Sequence, residues 1–363
     1  FRIERHERPV VRNEIVEDLE AAVEQFDEIA GIFLKNQLRS WLRLVGLAVG
    51  CDSDSRPMLY NYRLAMNIRL LAIFTFALVP IATVPLPQQP AQNLIQPQII
   101  KIPMGGGGAF GSDVEMVNHF YKPQGDGSFP VVIFSHGRSG ERDQRWNLKS
   151  PVSVGHGNFW LRKGFALVAP VRPGYGDTGG VDRETSGARG SGSSCRGTPD
   201  FVRVAKPAGA AVLAALDWVR AQPWARTDKL LLVGQSVGGL ATIGVGAMNP
   251  PGVVGAINFS GGAGGSPDVS PGHSCRPEKL AEAFQEFGKT MKIPSLWLYA
   301  ENDLYWGPEA PKEWHKTFTE GGSKTRFVMT EPVPGTPDGH RLLAAGGRLW
   351  SRHVNEFVKE LGF

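Results

Sequence analysis

Cysteine is scarce in this chain. Only Cys51, Cys195 and Cys275 occur among 363 residues, and no two are spaced as Cys-x-x-Cys. Zinc and iron–sulfur sites are built on such pairs, so neither is expected and no metal is implied. An excess of one charge is also missing. Lys and Arg total 39 against 35 Asp and Glu, a net charge of +4, and no dense Lys/Arg block occurs. Nucleic-acid surfaces need such a block, so no nucleic-acid partner is expected. The four glycines Gly105 to Gly108 lack the following Gly-Lys-Ser/Thr of a phosphate loop. No organic cofactor is implied. What the chain does have is an ordinary globular balance, 42% hydrophobic and 20% charged, enough for one large core or two modest ones.

The N-terminal third reads differently from the rest. Across residues 10–45, Ile15, Leu19, Val23, Phe26, Ile29 and Phe33 recur at three- and four-residue steps, the period of an amphipathic helix or helix pair. Its apolar face has nothing nearby to cover it. Either it binds a partner, or residues 1–65 are an upstream segment outside the mature protein. Met66 favours the second reading. A short basic stretch with Arg69 leads into an apolar core from Leu70 to Val84, and Pro/Gln-rich sequence follows. This is the pattern of a secretory signal peptide over residues 66–84. The core falls short of the roughly 20 apolar residues that a spanning helix needs. Cleavage is expected between Ala82 and Ala91, leaving an exported, periplasmic or secreted protein with no stable membrane association. The alternative is a membrane tether through residues 70–84. Cleavage would remove Cys51 and leave Cys195 and Cys275, an even count that predicts one disulfide in an exported chain; two unpaired thiols are the alternative. Residues 85–99 read as a Pro/Gln-rich linker.

From about residue 100 the pattern becomes regular. Strands are expected at 114–121, 129–135, 165–170, 253–259 and 295–299, with a further strand before Gly234, and helices at 208–220 and 349–361. Apolar strands separated by helices imply an α/β fold: a mostly parallel central sheet with helices on both faces, in one domain over residues 100–363. In such sheets, sites lie at the carboxyl ends of the strands.

The most informative stretch is Leu230-Leu231-Leu232-Val233-Gly234-Gln235-Ser236-Val237-Gly238-Gly239-Leu240. An apolar strand runs into Gly-x-Ser-x-Gly and then into small, helix-compatible residues, the pattern of a nucleophile elbow. The glycines flank a serine in strained backbone geometry, where a Cβ on either side would collide with a neighbouring strand or helix. A serine hydroxyl is a weak nucleophile at neutral pH. It needs a base, and the base needs an orienting acid. In elbow-type hydrolases the chain order is serine, acid, histidine. His340 sits in the loop Pro337-Asp338-Gly339-His340, whereas His315 and His353 fall in expected helices and His273 neighbours Cys275. His340 is the candidate base. The acid should follow a strand edge; Asp303, after Leu296-Trp297-Leu298-Tyr299, is the candidate, with Glu301 and Asp338 as rivals. The oxyanion donors expected are the backbone N–H of Val237 and those of Gly137 and Arg138 in the loop after an earlier strand. His136 is read as shaping that loop. Arg145, Trp146, Tyr305 and Trp306 are candidate pocket residues: the aromatics as a wall, and Arg138, Arg145 or Arg172 as partners for an acidic group on the substrate.

With these residues in view, the chain resembles the α/β-hydrolase superfamily. Segments 131–145, 172–180, 234–239, 258–265, 299–307 and 338–340 look like exported bacterial members of its dienelactone hydrolase-like branch. The resemblance spans residues 100–363 and leaves 1–99 without a counterpart. It implies an ester-hydrolysing fold with Ser236, Asp303 and His340 as the triad. Dienelactone hydrolase proper is known for a cysteine nucleophile, and this chain has Ser236 there, so the resemblance implies hydrolysis without fixing dienelactone as the substrate. The expected function is a serine hydrolase cleaving small carboxylic esters through an acyl-enzyme. Acyl transfer or peptide hydrolysis on the same triad, and a non-catalytic binding protein retaining the fold, are the competing readings.

Overall fold

The carboxyl ends of six parallel strands converge on one edge of the protein, and that edge carries the candidate site. The computed structural model describes residues 94–363. The amphipathic stretch 10–45, Cys51, the signal-peptide pattern 66–84 and residues 85–93 lie outside the described residues. In chain order the elements are β1 (Gln98–Met104), β2 (Val114–Tyr121), β3 (Phe129–Ser135), α1 (Arg142–Trp146), α2 (Val154–Leu161), β4 (Ala166–Pro170), α3 (Phe201–Arg220), β5 (Ala225–Gln235), α4 (Val237–Gly246), β6 (Val253–Phe259), α5 (Pro277–Thr290), β7 (Ser295–Ala300), α6 (Glu309–Glu320), β8 (Thr325–Thr330), α7 (Leu342–Ala345) and α8 (Gly347–Glu360).

The eight strands form one sheet in the order β1-β2-β4-β3-β5-β6-β7-β8. β2 pairs antiparallel with both β1 and β4, and β3 to β8 are parallel. Alternate residues of a strand face opposite sides. Here both sides are apolar. Val131, Ile133, Leu230 and Leu232 face one core cluster with α3, α4, α5 and α6, whereas Val132, Phe134, Leu231 and Val233 face the other with α2, α7 and α8. These strands therefore read as continuous hydrophobic runs, as parallel strands covered on two faces should. The strand order reverses at β3, which lies between β4 and β5. Crevices for ligands open at such reversals, beyond the carboxyl ends of the strands.

Two boundaries differ from the expectation. β1 begins at Gln98, inside the Pro/Gln-rich 85–99 segment, and pairs residue for residue with β2 from Gln98↔Phe120 to Met104↔Val114. The backbone N–H of Ile95 is already held by Asn158. α3 begins at Phe201, not 208. Asp200 caps it by accepting the Arg203 N–H at 2.8 Å, and Pro207 is carried inside the helix. Proline costs the helix one backbone bond; the buried stripe Val204, Ala208, Val212, Leu216 and Val219 holds it in place.

Cys195 and Cys275 are joined across a sequence separation of 80. The bond ties the long loop after β4 to the loop after β6, and both loops lie at the site edge. The Gly192 N–H and the Cys275 N–H both donate to the Gly264 carbonyl, which seats the same two loops against each other. Replacing both cysteines with serine is expected to lower unfolding free energy by about 2–4 kcal/mol. A urea titration checks this; an unchanged midpoint would show that the crosslink constrains nothing. Among the described residues no helix is long and apolar enough to cross a membrane.

Candidate active site

Ser236 follows β5 directly and stands before the first residue of α4, with φ 57° and ψ −127°. A side chain here is strained, and the surroundings impose the strain. The Ser236 N–H donates to the Phe259 carbonyl at the end of β6. The Ser236 carbonyl accepts from Leu240 and Gly262. Both flanking glycines are needed for close approach. A Cβ on Gly234 would overlap the Gly238 carbonyl and the Thr242 hydroxyl, and one on Gly238 would overlap the Ser135 and His136 carbonyl oxygens. The second clash is with backbone on β3, which cannot swing aside. Gly238→Ala is therefore expected to destabilise the protein by about 3 kcal/mol or more. Denaturant unfolding measures it; wild-type stability would overturn the steric reading.

Asp303 lies beyond β7 and is 2% exposed. Its Oδ1 accepts the backbone N–H groups of Tyr305 (2.8 Å) and Trp306 (3.2 Å), and its Oδ2 accepts from His340 Nδ1 at 3.0 Å. A carboxylate can only accept, so His340 carries its proton on Nδ1 and leaves Nε2 as the free, basic nitrogen. His340 sits beyond β8 in a 3-10 turn, Gly339–Arg341. The rival acids have other work. Asp338 caps that turn, with Oδ1 accepting from the N–H of His340 and of Leu304, and Glu301 is exposed. Among the rival bases, His273 is exposed. His315 bonds Thr325 and packs on Trp297, and burial pushes its pKa down to about 4.

The serine and histidine segments are linked through the residue before the serine. The Gln235 side-chain amide donates to the His340 carbonyl at 3.1 Å. The Ser236 hydroxyl does not cap α4, and the side-chain hydrogen bonds of the site join His340 to Asp303 without including it. Gly137 of the loop after β3 lies against the serine: a Cβ there would sit 3.3 Å from Ser236 Cβ and 3.9 Å from Oγ. Val237 is the first residue of α4, and N–H groups in a first turn have no partner within their helix.

The expected pocket residues fare differently. Tyr305 stacks on the His340 ring, with centroids 4.0 Å apart, and Trp306 meets the same ring edge-on at 5.3 Å. Trp306 is 2% exposed and its indole N–H donates to the Ser260 carbonyl. Both aromatics thus pack against the histidine ring. Two cavities of about 400 and 630 Å³ lie beside Trp306, lined by His273, Pro277 and Ala310, and neither reaches Ser236, Asp303 or His340. Arg145 and Trp146 line neither of these cavities. The Arg145 guanidinium is spent on Asp182 and on the Ser139 and Gly140 carbonyls, and Trp146 is 55% exposed. The side chain of Arg138 is paired with Asp182 at 2.6 Å.

Sequence reasoning missed the groups behind the site. Asn302 accepts the Val333 N–H and donates to the Thr336 and Pro337 carbonyls, stitching the β7 loop to the β8 loop. Tyr299 donates to the Gly261 carbonyl and accepts from Asn258, both fully buried, and so shapes the turn whose Gly262 N–H holds Ser236. Burial raises the Tyr299 pKa, so the hydroxyl stays a donor. Among the described residues no cluster of three or more His, Cys, Asp or Glu could hold a metal ion.

No family model and no curated protein matches the sequence. Solved structures do. A Bacteroides ovatus protein described as a dipeptidyl aminopeptidase IV matches with a TM-score of 0.51 at 12% identity, over 73% of this chain and 36% of its own. This chain thus spans little more than a third of that protein. Est1E from Butyrivibrio proteoclasticus matches with a TM-score of 0.45 at 15% identity, over 72% of this chain and 98% of its own. A puromycin-hydrolysing peptidase of Mycobacterium tuberculosis matches with a TM-score of 0.48 at 14% identity, over 76% of this chain and 41% of its own. An eight-stranded, mostly parallel sheet in this order, covered on both faces, together with the first of these likenesses, gives the chain the α/β-hydrolase fold.

Proposed function

We propose that the chain is a serine hydrolase of carboxylic esters, with Ser236 as nucleophile, His340 as base and Asp303 as the acid that orients it. The observation that carries this reading is the Asp303–His340 hydrogen bond, together with a serine held at φ 57° in an elbow whose neighbour Gln235 is tied to the His340 carbonyl. His340 Nε2 takes the Ser236 proton as Oγ attacks the ester carbonyl. The oxyanion is received by the N–H of Val237 and by those of the 137–138 loop, donors worth about 3–4 kcal/mol each in such sites. The alcohol leaves with a proton from His340, and water activated by the same nitrogen releases the acid. Acyl transfer and peptide hydrolysis would use the same three residues, so matched ester and anilide substrates discriminate among them. The disulfide accords with an oxidising compartment, and with residues 66–84 as an export signal.

The test is the intact mass of folded protein before and after a fluorophosphonate probe. One adduct per chain is expected; a folded protein that takes none would sink the assignment. The unlabelled mass also fixes the N-terminus.

A further inference from the structure

Arg172 was expected among the arginines that could meet an acidic group on a substrate. The structure places it elsewhere. It is 1% exposed, and every nitrogen of its guanidinium is used inside the protein. One edge forks onto Glu184, with Nε to Oε1 and Nη2 to Oε2. The other edge faces the loop after β3. Nη1 donates to the His136 carbonyl and, at 3.4 Å, to the Ser135 hydroxyl, and Nη2 donates to the Gly137 carbonyl at 3.3 Å. Tyr175 completes the cluster by donating to Glu184 Oε2 at 2.7 Å. The His136 ring supports the same loop: Nδ1 donates to the Gly137 carbonyl at 2.7 Å, and Nε2 accepts the Arg172 backbone N–H. Burial and the Arg172 charge hold the His136 pKa well below its usual value, so the ring stays neutral with that donor and acceptor.

The two carbonyls that Arg172 takes belong to the peptide groups His136–Gly137 and Gly137–Arg138. The N–H groups of these peptides are the proposed oxyanion donors. Among the described residues there is no cis peptide bond, and in a trans peptide the C=O and N–H point in opposite directions. Fixing both carbonyls toward Arg172 fixes both N–H groups away from it. Gly137 meanwhile lies against Ser236. We propose that Arg172, braced by Glu184 and Tyr175, is a positioning residue: it aims the Gly137 and Arg138 N–H groups at the oxygen that becomes charged during the reaction. The inference rests on the serine hydrolase reading. It is a case of preorganisation, in which donors set beforehand need not reorient as charge develops.

Arg172→Lys is the informative change. Lysine keeps a charge for Glu184 but is a point donor and cannot fork onto Glu184 while holding two carbonyls. With rates expressed per fluorophosphonate-titrated serine, kcat is expected to fall about 100-fold, the scale of one lost oxyanion donor. KM should change by less than about threefold, because ground-state binding does not use the hole. Inhibition by an alkylboronic acid, whose tetrahedral adduct places an oxygen in the hole, should weaken in step with kcat/KM. A merely structural arginine would lower the titratable fraction and leave kcat per titrated serine unchanged; that result, or undiminished boronate affinity, overturns the proposal. Tyr175→Phe guards against a misfolded lysine variant. It keeps the ring packed on His136 and removes one donor to Glu184, for an expected loss in kcat of about three- to tenfold, the span of one hydrogen bond. No loss there overturns the proposal too. Failure of wild type to take the probe or to turn over any ester would instead bring down the serine hydrolase reading itself.

Discussion

Replacing Ser236 with alanine is expected to lower ester turnover by about 10⁴- to 10⁶-fold and to abolish fluorophosphonate addition, with the fold unchanged. The size follows from what is removed. Without Oγ no acyl-enzyme can form, and what persists is the contribution of the oxyanion donors and of substrate binding. The intact fold follows from what is kept. The hydroxyl caps no helix, the backbone bonds of residue 236 to Phe259, Leu240 and Gly262 are independent of the side chain, and alanine carries the same Cβ into the strained φ. Turnover assays, intact mass and a thermal melt measure the three parts. Near-normal turnover would mean that the chemistry belongs to another residue.

Asp303→Asn is expected to reduce turnover by about 10⁴-fold. The geometry gives a specific reason. Oδ1 accepts two backbone N–H groups, from Tyr305 and Trp306. An asparagine must keep its carbonyl oxygen there, because an NH₂ cannot accept. Its NH₂ then faces His340 Nδ1, where the carboxylate oxygen now accepts at 3.0 Å. A donor opposite Nδ1 forces the imidazole proton onto Nε2, the nitrogen that must be free to act as base. Glu301→Gln, at an exposed position, should stay within about twofold of wild type, in line with surface changes that touch no partner. Should the glutamine variant lose activity and the asparagine variant keep it, the acid has been misassigned.

These two residues were legible in the sequence for different reasons. Ser236 announces itself because close packing on both sides allows only glycine at 234 and 238, so sterics write a short motif. Asp303 and His340 follow from chain order and from their place after strands, but the choice of Asp303 over Asp338 needed geometry: only one carboxylate faces the ring, and the other caps the turn that carries it. The parallel strands β3, β5 and β6 were readable as unbroken apolar runs, since both faces are covered. β1 was hidden by the prolines and glutamines around it. As an edge strand paired on one side, it needs less apolar sequence. α3 was shortened by Pro207, whose local cost is met by a buried stripe that no local rule can weigh. Arg172 and Glu184 were opaque because their pairing depends on the path of an irregular loop, and the packing of Tyr305 and Trp306 on the His340 ring was hidden because an aromatic beside an acid looks the same whether it faces substrate or histidine.

Gln235 and Ser236 are neighbours on the chain, and the Gln235 side chain holds the carbonyl of His340, 105 residues away from it. A slip of β5 along its axis would therefore carry the proposed nucleophile and the segment of the proposed base in the same direction. Displacement common to two points leaves the gap between them unaltered. That tie restrains the one separation where an error of 1 Å can cost about 100-fold in rate.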